Sequence, residues 1–224
     1  MLKLRLVTGL CLGLAAFFGV ATTAVAATNA GLWHMESTSS MIDSSGHGNN
    51  GTTKNITSAA GFFGKGYHFN GSSSMVTVKS SNSLNPGSAN IRLTVHVKFS
   101  KVPSKSVGDY DLIRKGLSST SGGDYKMEIF PNSDRSQAQA FCLFRGSSNT
   151  GLLHKGPNLA DGKWHTISCY KTATSIQLTV DGTTFTKSVK IGSISNTAPL
   201  TLGAKSTGGD WYLGDMDEVS VVIN

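Results

Sequence analysis

Apolar and polar side chains alternate residue by residue through much of this chain. The pattern is plainest in Ser175-Ile176-Gln177-Leu178-Thr179-Val180, which puts Ile176, Leu178 and Val180 on one face of an extended segment before Asp181-Gly182 turns the chain. Thr183 to Val189 then returns, completing a predicted hairpin. The same test predicts strands over 67–69, 75–78, 91–99, 110–115, 125–130, 137–145, 152–155, 164–171, 200–202 and 217–223, separated by Gly, Ser, Asn and Asp. Beyond residue 26 no stretch sustains a helical period. About a dozen short strands at this spacing predict an all-β fold, a two-sheet antiparallel jelly-roll sandwich in which each sheet buries one face.

The first 26 residues read differently. Lys3 and Arg5 precede an apolar run from Leu6 to Val20, and Ala24-Val25-Ala26 places small residues at the spacing of a signal-peptidase site. A cleaved signal peptide over 1–26, a domain over 27–224 and a secreted, extracellular location are therefore expected. The run is short against the ~20 residues of a membrane span, so no span is expected after processing. Residues 27–224 suffice for one all-β core.

The chain carries 20 Lys+Arg against 13 Asp+Glu, and without Lys3 and Arg5 the balance is 18 against 13, a modest basic excess. Its lysines are scattered singly rather than clustered with stacking aromatics, which argues against a nucleic-acid partner. A solvated basic surface accounts for them, with an acidic polysaccharide as the sharper alternative. Cys142 and Cys169 are the cysteines left after residue 26, and an even pair in an exported chain predicts a disulfide. No Cys or His stands at ligand spacing around them, so zinc is not expected. A monomer is expected.

Met41-Ile42-Asp43-Ser44-Ser45-Gly46-His47-Gly48-Asn49-Asn50-Gly51-Thr52 is rich in glycine and asparagine and poor in core-forming residues. It follows Gly31-Leu32-Trp33-His34-Met35-Glu36 and precedes Gly61-Phe62-Phe63-Gly64-Lys65-Gly66-Tyr67-His68-Phe69-Asn70-Gly71. Together with Asp161-Gly162-Lys163-Trp164-His165, Leu178-Thr179-Val180-Asp181-Gly182 and Leu213-Gly214-Asp215-Met216-Asp217-Glu218-Val219, this resembles the laminin G-like domains of the concanavalin A-like lectin/glucanase superfamily. The order of these motifs over nearly all of the chain beyond the signal segment carries the resemblance. Tyr67, where small residues are common, and Val95-His96-Val97-Lys98, where a Trp is frequent, depart from it.

The resemblance implies two curved sheets, neighbouring first and last strands, a calcium ion in many members, and carbohydrate binding in many. Calcium takes six to eight oxygen ligands. Asp43, the carbonyls and Asn side chains of 46–50, and Asp217 are the set implied here, with Glu36 as a third candidate carboxylate. An Asx-type turn centred on Asp43 uses the same residues without an ion. Trp33 and Trp164 are assigned to the core.

Glycoside hydrolysis needs two carboxyl groups flanking the bond. The glucanases of the superfamily present them as E-x-D-x-x-E on one strand, whereas Glu128 has no carboxylate at position 130 or 133. No Q-[IV]-H motif of the related lyases is present, and His68, His96, His154 and His165 stand as lone imidazoles. No catalytic set is named, and a non-catalytic binding module is expected. A polysaccharide-degrading hydrolase or lyase working on the concave sheet, or a structural or adhesive protein-binding module, are the alternatives.

A sugar-binding surface needs aromatic faces and planar polar groups. Trp211 and Tyr212, in a glycine-rich stretch, lead the candidates. Arg114, Asp124, Tyr125, Asn132 and Arg145 lie on strands or loops able to reach one face. The expected partner is a carbohydrate or a cell-wall or matrix polymer.

Overall fold

The computed structural model describes residues 28–224, so the signal-peptide expectation lies outside the described residues. Fifteen strands follow one another there. The first eight are β1 (Thr28–Trp33), β2 (Gly51–Lys54), β3 (Thr57–Ala60), β4 (Lys65–Asn70), β5 (Met75–Val78), β6 (Ile91–Lys98), β7 (Tyr110–Lys115) and β8 (Asp124–Pro131). The rest are β9 (Ala138–Arg145), β10 (Thr150–Lys155), β11 (Trp164–Lys171), β12 (Ser175–Val180), β13 (Thr183–Ser188), β14 (Leu200–Leu202) and β15 (Leu213–Ile223).

They form two antiparallel sheets. An eight-stranded sheet runs β13-β12-β11-β6-β15-β4-β3, with β1 also paired to β15, and a seven-stranded sheet runs β10-β9-β8-β7-β14-β5-β2. This is the all-β, two-sheet jelly-roll sandwich that the alternation predicts. The long β15 serves two partners on one edge, β4 through Leu213–Met216 and β1 through Val219–Ile223. A bulge after Asp217, with Glu218 at φ 48, marks the handover. The first and last strands are thus neighbours.

Alternation places the core. Leu93, Val95 and Val97 of β6 interleave with Arg92, Thr94 and His96, and the first three are fully buried. In β8, Tyr125, Met127 and Ile129 point inward, and in β9 Ala140, Cys142 and Phe144 do the same. Tyr212 closes one end of the core, its ring 5.6 Å from Phe69 and Tyr110 and 6.0 Å from Phe99. Cys142 of β9 and Cys169 of β11 are joined across the sandwich with Cα atoms 5.7 Å apart, so the bridge staples one sheet to the other.

Two assignments change. The alternation test passes over β2 and β3, whose Gly-Thr-Thr-Lys and Thr-Ser-Ala-Ala offer no large apolar face, because both lie at a sheet edge. Trp33 is fully buried as assigned, but Trp164 is not a core residue. It pairs with Lys98 on the outer face of the eight-stranded sheet and is half-buried, while His165, Ile167 and Cys169 face inward. Phe62 covers it edge-on and stacks on His96 at 3.9 Å.

Candidate functional site

The polar residues that alternate with the core of the seven-stranded sheet meet on its outer face. Register sets Asp111 beside Glu128, Arg114 beside Lys126, and Asp124 beside Arg145. Phe141, Leu143 and Thr150 continue that face on β9 and β10. A cavity of about 510 Å³ opens over it, walled by Arg114, Asp124, Lys126, Leu143, Arg145 and Thr150 from the strands. Leu117 to Ser119 and the loop carrying Lys205, Thr207 and Asp210 complete the wall, with Asp109 at the entry to β7.

Four carboxylates cluster at one end of the cavity, Asp109 and Asp210 in its wall and Asp111 and Glu128 buried behind it. Asp109, Asp111, Glu128 and Asp210 each offer an oxygen within 4.8 Å of the others, and among the described residues no other set of three or more His, Cys, Asp or Glu groups converges in this way. Asp210 is delivered by its own backbone, whose carbonyl accepts from Asp111 N at 2.9 Å. Arg114 threads between the acids, donating from Nε to Asp111 Oδ2 at 2.7 Å and from Nη2 to Glu128 Oε1. Lys126 Nζ donates to Glu128 Oε1 at 2.7 Å and sits 2.6 Å from Oε2 as an ion pair without hydrogen-bond alignment. Lys205 Nζ lies 2.6 Å from Asp210 Oδ2.

Burial governs the titration of the cluster. It pushes the Glu128 carboxyl far up, the charge of Asp111 adding to the rise and Lys126 and Arg114 opposing it. Burial also raises Asp109, reinforced by Asp210 and Asp111. For Arg114 burial works downward, but Asp111, Glu128 and Asp210 outweigh it and hold the guanidinium charged. At the other end of the cavity, Arg145 Nε meets Asp124 Oδ1 at 2.5 Å, and its Nη2 donates to the Leu117 and Thr120 carbonyls at 2.9 Å. That clamp fixes the loop that forms the cavity wall.

The candidates from sequence divide clearly. Arg114, Asp124 and Arg145 line the cavity. Tyr125 and Tyr212 are fully buried, with hydroxyls spent on the Leu84 carbonyl and on the Lys98 and Asp215 carbonyls, so neither ring presents a face to a ligand. Asn132 shapes the β8–β9 turn by accepting from Gln137 N at 3.0 Å. Trp211 is half-buried in the β14–β15 loop and does not line the cavity. Asp109, Asp111, Lys126, Glu128, Lys205 and Asp210 are additions; for Lys126 and Glu128 the i, i+2 spacing from Asp124 was the available signal.

The implied calcium set does not converge. Asp43 Oδ1 accepts from Leu32 N at 3.0 Å and Ser45 N at 2.9 Å, and Oδ2 accepts from Ser45 Oγ and Asn49 N at 2.8 Å each. Asp217 accepts from Phe63 N and Glu218 N, both at 2.9 Å, and Glu36 from Lys65 N at 3.2 Å. Asp43 thus organises its own loop, while Asp217 and Glu36 hold the turn around Phe63 to Lys65. Among the described residues these three carboxylates do not form a converging set. The 41–52 loop holds protein: Asn49 O accepts from the Trp33 indole at 2.8 Å, and Asn49 Nδ2 donates to the Ala30 carbonyl at 2.7 Å.

Comparison with known proteins places this architecture. No curated protein sequence matches. Among solved structures, the binding domain of Paraclostridial Mosquitocidal Protein 1 superposes with TM-score 0.69 at 14% identity over 87% of this chain and 48% of its own. The botulinum neurotoxin serotype D binding domain gives 0.63 at 12% over 87% and 47%. Domain 4 of AbnA, a GH43 extracellular arabinanase from Geobacillus stearothermophilus solved in complex with arabinotriose, gives 0.62 at 15% over 88% and 93%. The chain thus spans about half the length of the toxin domains and nearly all of the arabinanase domain. At these identities the likeness is one of fold. The sequence profile of the Laminin_G_3 family, described as the concanavalin A-like lectin/glucanases superfamily, matches residues 70–222, and the chain belongs to that family.

Proposed function

We propose that this protein is a secreted, non-catalytic module that binds a carbohydrate, as a free glycan or as part of a cell-wall or matrix polymer, in the cavity of the seven-stranded sheet. One observation carries the reading: the outer face of that sheet holds an open cavity of about 510 Å³ walled by planar guanidinium and carboxylate groups, with Leu143 set among them. Sugar hydroxyls need paired donors and acceptors of this kind, and the ring's CH faces need an apolar patch. The arabinanase domain solved with arabinotriose and the toxin binding domains lend support from the same architecture. Export is supported by the apolar run at the amino terminus and by the disulfide.

A panel of polysaccharides and glycans, read for retention of the protein and for release of reducing ends, tests the proposal. Retention without release is expected. Leu143→Arg, which fills the cavity from a half-buried wall position, should abolish retention and leave the melting temperature within a few degrees. Release of reducing ends, or unchanged retention in that variant, would contradict it.

A further inference from the structure

The four carboxylates at the end of the cavity are packed more closely than their charge allows. Carboxyl faces carboxyl in two pairs, Asp109 with Asp210 and Asp111 with Glu128. The neighbouring cations are already engaged: Arg114 on Asp111 Oδ2 and Glu128 Oε1, Lys126 on Glu128, and Lys205 on Asp210 Oδ2. Asp111 is 1 % exposed, yet its Oδ1 has no hydrogen-bond donor, and Asp109 Oδ1 is equally shielded and equally without one. A buried carboxylate oxygen with no partner costs several kcal/mol, so each of these must be met either by a proton shared with the facing carboxyl or by a cation.

Geometry selects its kind. Two oxygens bound to one calcium-sized ion at about 2.4 Å lie no more than about 4.8 Å apart, and the four ligand oxygens meet that limit among themselves. The donor set is all carboxylate, with no imidazole or thiolate, which suits a hard ion and not zinc or copper. We infer that the cluster is a divalent-cation site of calcium type, held by Asp109, Asp111 and Asp210, with its remaining coordination open to water from the cavity. Glu128, whose oxygens Arg114 and Lys126 hold, adds charge behind the ion. The site stands apart from Asp43, Asp217 and Glu36 and does not depend on any glycan.

Equilibrium dialysis of the chelator-stripped chain against calcium near neutral pH tests this. One ion per chain is expected, with a melting temperature that climbs as calcium is added. Asp109→Asn and Asp111→Asn should each weaken binding roughly tenfold or more. The chelated form of Asp109→Asn should melt no lower than the parent, since it removes an opposed charge that holds no cation among the described residues, whereas Asp111→Asn also loses the charged partner of Arg114. No binding of calcium, magnesium or manganese at millimolar concentration would overturn the inference. So would binding that survives in both variants, which puts the ion elsewhere. A chain that gains stability on acidification and ignores all three ions would assign shared protons to the cluster and overturn it equally.

Discussion

Asp43 gathers four donors from Leu32, Ser45 and Asn49 and so ties the 43–49 loop to β1. Burial pushes its carboxyl upward, but the Ser45 hydroxyl and the Leu32, Ser45 and Asn49 amides outweigh that and hold it below its ordinary value of 3.8. A lowered carboxyl contributes stability that is fully present above pH 3.8 and is lost as pH falls through the folded-state value. Asp43→Ala leaves buried amides without an acceptor and should cost about 2–4 kcal/mol by urea melting, with no dependence on calcium. Gly31 belongs to the same corner: a Cβ there would sit 2.2 Å from Trp33 Cη2. Gly31→Ala should therefore displace the indole, whose Nε1 holds the Asn49 carbonyl, and lower the melting temperature. Single residues were also where sequence reading went astray. Asp124 and Tyr125 cannot serve one face, because adjacent strand residues point to opposite sides, and the partners of Asp124 are Lys126 and Glu128.

At the level of elements, β9 and β11 are joined by Cys142 and Cys169, which are 27 residues apart. Closing such a loop restrains the unfolded chain by about 3 kcal/mol in the entropy model. Alkylation of the native protein should add no mass, and reduction should lower the unfolding free energy from denaturant titration by that order; a native thiol that labels would remove the staple. His165 pins the start of β11 to the β12–β13 turn and to the segment preceding β11, bonding Asp181 at 2.7 Å and Asp161 at 3.0 Å. Burial draws this imidazole down, but the bonds and charges of Asp181 and Asp161 more than compensate, leaving it above 6.5. Its contribution is complete below pH 6.5 and fades as pH rises through the raised value, so His165→Gln should flatten that part of the stability profile. Strands with a buried apolar row, such as β6 and β12, were legible in the sequence because burial of one face writes a period of two. β2 and β3 lack that row, so their small and polar side chains carry no such mark.

The whole molecule presents two unlike outer faces. One carries the charged cavity, and the other carries Phe62, Phe63, His96 and Trp164, with Phe63 62 % exposed. The motif order revealed the sandwich, since each motif fixes a turn or a strand in a shared frame. It could not reveal the cavity, because Asp109 and Asp210 come from separate loops brought together by the closure of the sheet, and loop placement leaves no period in the sequence. The most direct test of ligand binding at that face is an amide chemical-shift map recorded while an oligosaccharide retained by the protein is titrated in. Perturbations gathered on Arg114, Lys126, Leu143, Arg145 and Thr150 are expected; perturbations gathered instead on Phe62, Phe63, His96 and Trp164 would contradict binding in the cavity.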